Sequence, residues 1–190
     1  MTSEALQMDA LVLRSYPSGE SDNVYRLLTR EKGKLSAIAK GVRKSKRRFS
    51  SVPEPFDIGQ ADIKKGRGEL FLFNGFIPKR TLLPLRESLH KFQTACVLCE
   101  VFDALVHEDD EEHADELFHI ALDGLEVIND EPSDAQSYKP ASHSLRRLLR
   151  VGGYLEERPH HTEPESALDE WKWVLKRIEG IIDRPLKTAR

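Results

Sequence analysis

The stretch LVLRSYPSGESDNVYRLLTREKGKLSAIAKGVRKSKRRF, residues 11–49, contains the signals that decide the fold. Three short apolar runs are separated by residues that favour turns. Pro17 and Gly19 follow the first run, and a loop containing Gly33 joins the second to the third, as is typical of a β-hairpin. We therefore predict three strands, at Ala10–Ser15, Asn23–Thr29 and Leu35–Lys40.

Two further strands are predicted in the next 30 residues. Phe56–Ile63 alternates apolar and polar residues if Gly59 forms a β-bulge, and Glu69–Ile77 follows a Gly-containing tight turn at Lys65–Gly68. Five short strands in about 70 residues indicate a small β-barrel. The OB-fold is the first candidate, and an SH3-like barrel would produce similar signals.

The remainder of the chain is rich in Leu, Ala and Glu, with apolar residues recurring every three or four positions. This period predicts helices at Glu87–Val106, Ala114–Ile128, Ser144–Val151 and Ala167–Ile182. The predicted fold class is therefore β + α. A five-stranded OB-fold barrel over residues 1–80 precedes a small all-helical domain over residues 81–190, with the boundary between Pro78 and Pro84.

Composition is that of a globular protein. Of the 190 residues, 51 are Leu, Ile, Val or Phe, enough to form a core. We expect no membrane span, because no apolar run approaches about 18 residues, and no secretory signal, because Glu4 and Asp9 lie in the first nine residues. With only two cysteines, Cys96 and Cys99, a reduced, cytoplasmic protein is predicted.

Charge is distributed unevenly. Residues 1–80 contain 16 Lys and Arg against 9 Asp and Glu, whereas residues 81–190 contain 13 against 23. Such asymmetry between halves indicates a polyanionic partner for the basic half.

The densest basic run is KGVRKSKRRF, residues 40–49, with six Lys or Arg in ten positions. It predicts a phosphate-binding loop; a solvated surface loop, a nuclear-localisation signal and a membrane-surface patch are the alternatives. Phe49 is the aromatic residue favoured for stacking on a base, whereas Phe71 and Phe73 share a strand face that predicts the barrel interior. The predicted DNA-binding residues are Arg14, Lys34, Lys40, Arg43, Lys44, Lys46, Arg47, Arg48 and Phe49.

Other candidate groups point away from catalysis. Cys96 and Cys99 match a helical apolar face, and His160-His161 is a weak ligand pair, so no metal or other cofactor is predicted. The acidic run Glu108–Glu112 fits the start of the next helix. No nucleotide-binding or hydrolase motif is present in the sequence, and no catalytic residue is predicted. Basic residues of the acidic half are candidates for a protein partner or a second DNA contact: Arg146, Arg147, Arg150 and Lys187.

Several of these segments carry a resemblance. The first 80 residues contain GESD at 19–22, LTREKGKL at 28–35 and KGVR at 40–43, and later segments are LLRVGGY at 148–154 and RPLK at 184–187. With these motifs the sequence resembles the RecO family of bacterial recombination mediators over most of its length, most specifically in residues 1–80.

The resemblance implies an OB-fold followed by a helical domain. It implies binding of single- and double-stranded DNA, annealing of complementary strands, cooperation with RecR, and loading of RecA onto strands coated by the single-stranded DNA-binding protein. One departure is that many members have a four-cysteine zinc module after the Gly-Tyr, which this sequence lacks after Tyr154. Two alternatives stay open: an RNA-binding OB module, and a nuclease using the Glu108–Glu112 carboxylates with a divalent metal.

Overall fold

Five strands, whose inward-facing residues are apolar, close into a barrel at the N-terminal end of the chain. The structure is a computed structural model that describes residues 5–44, 52–66, 68–108, 110–155 and 166–189. The strands are β1 (Ala5–Ser18), β2 (Asp22–Thr29), β3 (Gly33–Ala39), β4 (Ile58–Lys64) and β5 (Phe71–Arg80).

The strand order around the barrel is β1-β2-β3-β5-β4, and β4 pairs back onto β1. All pairs are antiparallel except β3 and β5, which meet in parallel at Ala37–Phe71 and Ile38–Leu72. The predicted OB-fold barrel is thus confirmed, and so is the hairpin between β2 and β3, in which Thr29 pairs with Gly33.

The barrel core follows the two-residue period of its strands. Alternate residues of β1, β2, β3 and β4 point inward, which is why short alternating segments suffice to build it. The ring of Tyr25 packs edge-on against Phe73 with centroids 5.0 Å apart, and Phe73 packs in the same way against Phe76 at 6.0 Å. The core comprises Met8, Ala10, Val12, Tyr25, Leu27, Leu35, Ala37, Ala39, Val42, Ala61, Ile63, Phe73 and Phe76.

The prediction that the first strand ends before Pro17 is wrong. β1 continues to Ser18, and Pro17 itself lies opposite Asn23. β4 pairs with β1 only as far as Leu11, so the second half of β1 has a neighbour on one side alone. Proline is tolerated there because its missing N–H can face the unpaired edge.

A β-bulge lies at the predicted place, but on the facing strand: Ile58 pairs with Arg80 and Gly59 with Pro78, so the extra residue is Lys79 of β5 and not Gly59. The backbone of β5 crosses Gly59 closely. A Cβ at this position would meet the carbonyl oxygen of Ile77, and would lie 2.8 Å from Cζ of Phe76 and 2.9 Å from Cα of Pro78. Position 59 therefore requires a glycine, because β5 leaves no room for a Cβ atom.

The rest of the chain is helical, with five helices in the described residues: α1 (Leu83–Glu87), α2 (Leu89–Leu105), α3 (Ala114–Asp130), α4 (Tyr138–Val151) and α5 (Ala167–Ile182). The helix predicted at Glu87–Val106 begins instead at Leu89, because the Oγ of Ser88 accepts a hydrogen bond from the N–H of Lys91 and caps α2. The short helix α1 that precedes it was not predicted. α4 begins six residues before its predicted start, because Pro140 fits the first turn of a helix. None of these helices is long and apolar enough to cross a membrane.

The chain divides into two compact units, Met1–Thr81 with His107–Phe118, and Leu82–Val106 with His119–Arg190. Residues 107–118 fall within the predicted helical domain, whereas in the structure this segment packs with the barrel strands. The sequence could not predict this packing, because it depends on contacts between residues about 80 positions apart, such as Arg26 with Glu108 and Lys32 with Glu111.

In the second unit, Glu100 on α2 anchors the segment after α5. Its carboxylate accepts hydrogen bonds from the backbone N–H groups of Lys187 (3.0 Å) and Thr188 (2.9 Å) and from the Thr188 hydroxyl (2.6 Å). The Arg184 guanidinium lies 3.1 Å away, and Leu186 between these residues is fully buried. Burial opposes ionisation, but the hydrogen bonds prevail and lower the pKa of Glu100 to about 2.

We predict that Gly59→Ala lowers the free energy of unfolding by about 2 kcal/mol or more, because the added methyl group must displace backbone of β5. Urea unfolding of the full chain measures the change. Gly180→Ala is the matched control, because its Cβ meets open space on α5 and should stabilise the helix by about 0.5–1 kcal/mol. Equal stability of the two variants would contradict the steric role of Gly59.

Glu100→Gln should lower stability at neutral pH by about 2–3 kcal/mol. The folded-state pKa of about 2 lies below the usual 4.5, so the carboxylate stabilises the fold fully above pH 4.5, and this stabilisation is lost as pH falls towards 2. Urea midpoints of wild type and variant should therefore converge on acidification. Glu87 is an exposed carboxylate on α1, and Glu87→Gln should leave the pH dependence of the urea midpoint unchanged. Parallel pH profiles for wild type and Glu100→Gln would refute the anchoring role of Glu100.

Candidate nucleic-acid interface

The outer face of β1, β2 and β3 aligns polar side chains in a row. Arg14 lies opposite Arg26, and Arg26 lies opposite Ser36. The parallel pairing of Ala37 with Phe71 places the first residues of β5 beside β3, at the end of this row. In OB-folds the β2–β3 face, together with the β1–β2 and β4–β5 connections, forms the surface that binds oligonucleotides.

The turn between β1 and β2 is held by the segment that follows β3. One carboxylate oxygen of Asp22 accepts hydrogen bonds from the backbone N–H of Gly41 (2.8 Å) and from the hydroxyl of Ser21 (2.9 Å). The backbone N–H of Arg43 donates to the carbonyl of Ser21 at 3.0 Å. The bond from Gly41, with that from Ser21, lowers the pKa of Asp22, so this carboxylate is ionised when it anchors the turn.

This anchoring presents three exposed cations, Lys40, Arg43 and Lys44, which we call the basic turn cluster. The Lys44 ammonium lies 3.1 Å from Glu20, with the two side chains 62% and 91% exposed. Arg43 donates to the carbonyl of Gly19 at 3.3 Å. Pairs this exposed contribute little to stability, so a phosphate can replace Glu20 at small cost.

An aromatic side chain accompanies these charges on the outer face of β1. Tyr16 is 43% exposed, and the guanidinium carbon of Arg14 lies 5.9 Å from the centre of its ring. Among the aromatic residues of the described strands, Tyr25, Phe73 and Phe76 are buried and Phe71 packs against the core, as predicted for Phe71 and Phe73. Tyr16 is therefore the strand aromatic that offers a ring face to an unpaired base.

Comparison with known proteins bears on this surface. A family model described as Recombination protein O N terminal matches residues 1–77, which contain β1 to β4 and most of β5. The DNA repair protein RecO of Nocardioides sp. strain JS614 is 32% identical over 184 residues, which cover 92% of this chain and 71% of that protein. The chain belongs to the RecO family.

Other RecO relatives align over shorter stretches. DNA repair protein RecO of Anaeromyxobacter sp. strain K is 34% identical over 80% of this chain and 58% of that protein. The Heliobacterium modesticaldum protein of the same name is 38% identical over 75% of the chain and 50% of that protein. The chain thus spans about half to seven-tenths of the length of the relatives that it matches.

The structure places the predicted DNA-binding residues in different surroundings. Arg14 and the basic turn cluster are exposed on the first unit. Lys34 is only 5% exposed and forms a β-bridge with Glu108, so the expectation that it reaches a phosphate is corrected: the segment at Glu108 covers it. Four further candidates, Lys46, Arg47, Arg48 and Phe49, lie outside the described residues.

The partner candidates of the second unit already have contacts within the chain. Arg146 pairs with Glu170 at 2.8 Å, and Arg147 pairs with Asp123 at 3.1 Å. Arg150 is exposed, and Lys187 belongs to the segment anchored by Glu100, with its side chain exposed. An open groove beside Arg147 is lined by Asp123, Glu126, Val127, Pro140, His143, Ser144 and Arg147.

Sequence reasoning missed Asp22 as a positioning residue of this RecO surface. The available signal was an Asp at a strand start after a Gly-containing turn, where its side chain can accept backbone N–H groups. In the described residues, no three His, Cys, Asp or Glu side chains come together to hold a metal ion. Cys96 and Cys99 both lie on α2, where burial raises the pKa of each thiol.

Proposed function

We propose that this RecO-family chain binds single- and double-stranded DNA in repair through the basic turn cluster and the outer face of β1. The observation that carries the proposal is the set of hydrogen bonds that fixes Lys40, Arg43 and Lys44 against the β1–β2 turn of an OB-fold. Three cations held at one edge of the barrel form a fixed positive surface, and fixed charges bind a phosphate backbone without sequence preference.

Strand annealing follows from the same surface. Two complementary strands repel each other through their phosphates, and a positive surface that holds both lowers this repulsion while their base edges stay free to pair. Tyr16, with Arg14 beside its ring, adds a stacking surface for bases of a single strand. The mechanism requires no nucleotide hydrolysis, no metal and no catalytic residue.

The partners of this activity are proposed from the family alone. They are RecR, the acidic tail of the single-stranded DNA-binding protein, and RecA, which would be loaded indirectly. For the acidic tail we propose Arg150, with Arg146 and Arg147 exchanging their present carboxylate partners for those of the peptide. Exposed Val127 in the adjoining groove offers apolar contact to the same peptide.

The triple variant Lys40→Ala/Arg43→Ala/Lys44→Ala should bind a single-stranded oligonucleotide at least tenfold more weakly at low salt. The slope of log affinity against log salt should become shallower by about 2, because each of the three lost phosphate contacts on a single strand removes about 0.7. Fluorescence anisotropy across a salt series measures both quantities. Annealing of two labelled complementary strands, without nucleotide, should slow in parallel.

The matched control is Lys139→Ala/Lys172→Ala/Lys176→Ala, which removes three exposed cations from the second unit. Equal loss in both triple variants would refute the assignment to the turn cluster. Tighter binding of RNA than of DNA of the same sequence would favour the RNA-binding alternative. Magnesium-dependent cleavage of the labelled DNA would favour the nuclease alternative.

For the protein partner, Arg146→Ala/Arg147→Ala/Arg150→Ala should bind a synthetic acidic-tail peptide at least tenfold more weakly than the wild type. Arg150→Ala alone should weaken binding in the same direction, and its exposed side chain can be removed without disturbing the two internal ion pairs. Calorimetric titration of the peptide measures these affinities, with Lys172→Ala/Lys176→Ala as the control. Wild-type affinity in the triple variant would exclude this contact.

A further inference from the structure

An acidic segment packs on the barrel at the β2–β3 hairpin. Seven of the nine residues 108–116 are Asp or Glu. The segment His107–Phe118 belongs to the same compact unit as the barrel, although it follows α2 in sequence. We refer to residues 107–118 as the acidic strap.

Three of its carboxylates meet cations of the hairpin. Glu108 pairs with Arg26 and accepts a hydrogen bond from the Ser36 hydroxyl at 2.9 Å. The remaining two pairs are Lys32 with Glu111 at 2.6 Å and Arg30 with Asp115 at 2.5 Å. These basic residues lie along β2 and its turn, so the strap follows the outer face of the hairpin.

The fit extends to the backbone. Gly33 has a φ of +65°, and a Cβ added there would lie 2.5 Å from the carbonyl oxygen of Asp110. Glycine is thus required at this position both by its backbone conformation and by the close approach of the strap. Burial disfavours the charge on Glu108, but Ser36, Arg26 and Lys34 together hold the pKa of its carboxyl below the usual value.

Of the cations that the strap occupies, Arg26 lies on the outer face of β2, which OB-folds use for oligonucleotides, and Arg30 and Lys32 continue from it into the β2–β3 turn. We propose that the acidic strap is an intramolecular competitor of DNA, whose carboxylates take the places of phosphates on Arg26, Arg30 and Lys32. The inference rests on the proposed DNA binding and adds its regulation. With the strap docked, DNA is confined to Arg14, Tyr16 and the basic turn cluster; with the strap displaced, the hairpin cations extend the site.

The exposure of the outer pairs makes such displacement feasible. The side chains of Arg30 and Asp115 are 49% and 63% exposed, and those of Lys32 and Glu111 are 34% and 57% exposed. Ion pairs this accessible to water and salt are weak. A DNA strand bound at the turn cluster brings further phosphates near the hairpin, where they can replace Glu111 and Asp115 one at a time.

The test is the variant Glu111→Gln/Asp115→Asn in the full chain. It should bind a 30-nucleotide single strand about tenfold more tightly at 100 mM salt. The salt slope should steepen by about 1.4, because two freed cations gain two phosphate contacts at about 0.7 each on a single strand. Adding Glu108→Gln should increase both effects, and thermal unfolding of each variant shows whether the fold is retained.

The matched control is Glu112→Gln/Glu116→Gln. Both double variants remove two negative charges from the strap. Glu112 and Glu116 are exposed and make no ion pair with a described residue, so their removal frees no cation. Less than a twofold change is expected for this control. Wild-type affinity and slope in Glu111→Gln/Asp115→Asn, or equal effects in the two double variants, would overturn the competitor role. If the wild type itself binds no DNA at low salt, it is the proposed function that fails.

Discussion

Closure of the barrel depends on the short parallel contact between β3 and β5. Only Ala37–Phe71 and Ile38–Leu72 make this pairing, yet without them the sheet would have two open edges. The contact also fixes which strand ends are neighbours, because it places the start of β5 beside β3. Both the basic turn cluster and the face covered by the strap take their positions from a barrel closed in this way.

Local patterns predicted the elements of the fold well. Apolar runs between turn residues identified four strands, and alternation identified β4. A bulge was predicted at Gly59 because the apolar period fails there, and its extra residue lies opposite, on β5. Local patterns could not show that β1 continues through Pro17, since this depends on where β4 stops pairing with it. The start of α2 after Ser88 depends on a single side-chain cap. The apolar period of the sequence gives no sign of where such a cap begins the helix.

The site was predicted in part, for a similar reason. The exposure of Lys40, Arg43 and Lys44 follows from a charged run after a strand. The burial of Lys34 does not, because the group that covers it is Glu108, 74 positions away in the chain. When charge is counted for residues 1–80 and 81–190 separately, the carboxylates of the strap count towards the acidic second part. In the structure they pair with cations of the basic first part. The positive surface of the barrel is therefore smaller than its composition suggests.

The segment after α5 is held mainly through its main chain. Glu100 accepts hydrogen bonds from the backbone N–H groups of Lys187 and Thr188, and Glu179 accepts one from that of Leu186. The side chains of Arg184, Leu186 and Thr188 also take part, whereas that of Lys187 is exposed. Position 187 should consequently accept chemically diverse residues while the path of the chain is kept. A cysteine placed at position 187 would attach a thiol-reactive dye to a structurally fixed point of the chain. Cys99 is buried, whereas Cys96 is only partly buried and would have to be replaced first.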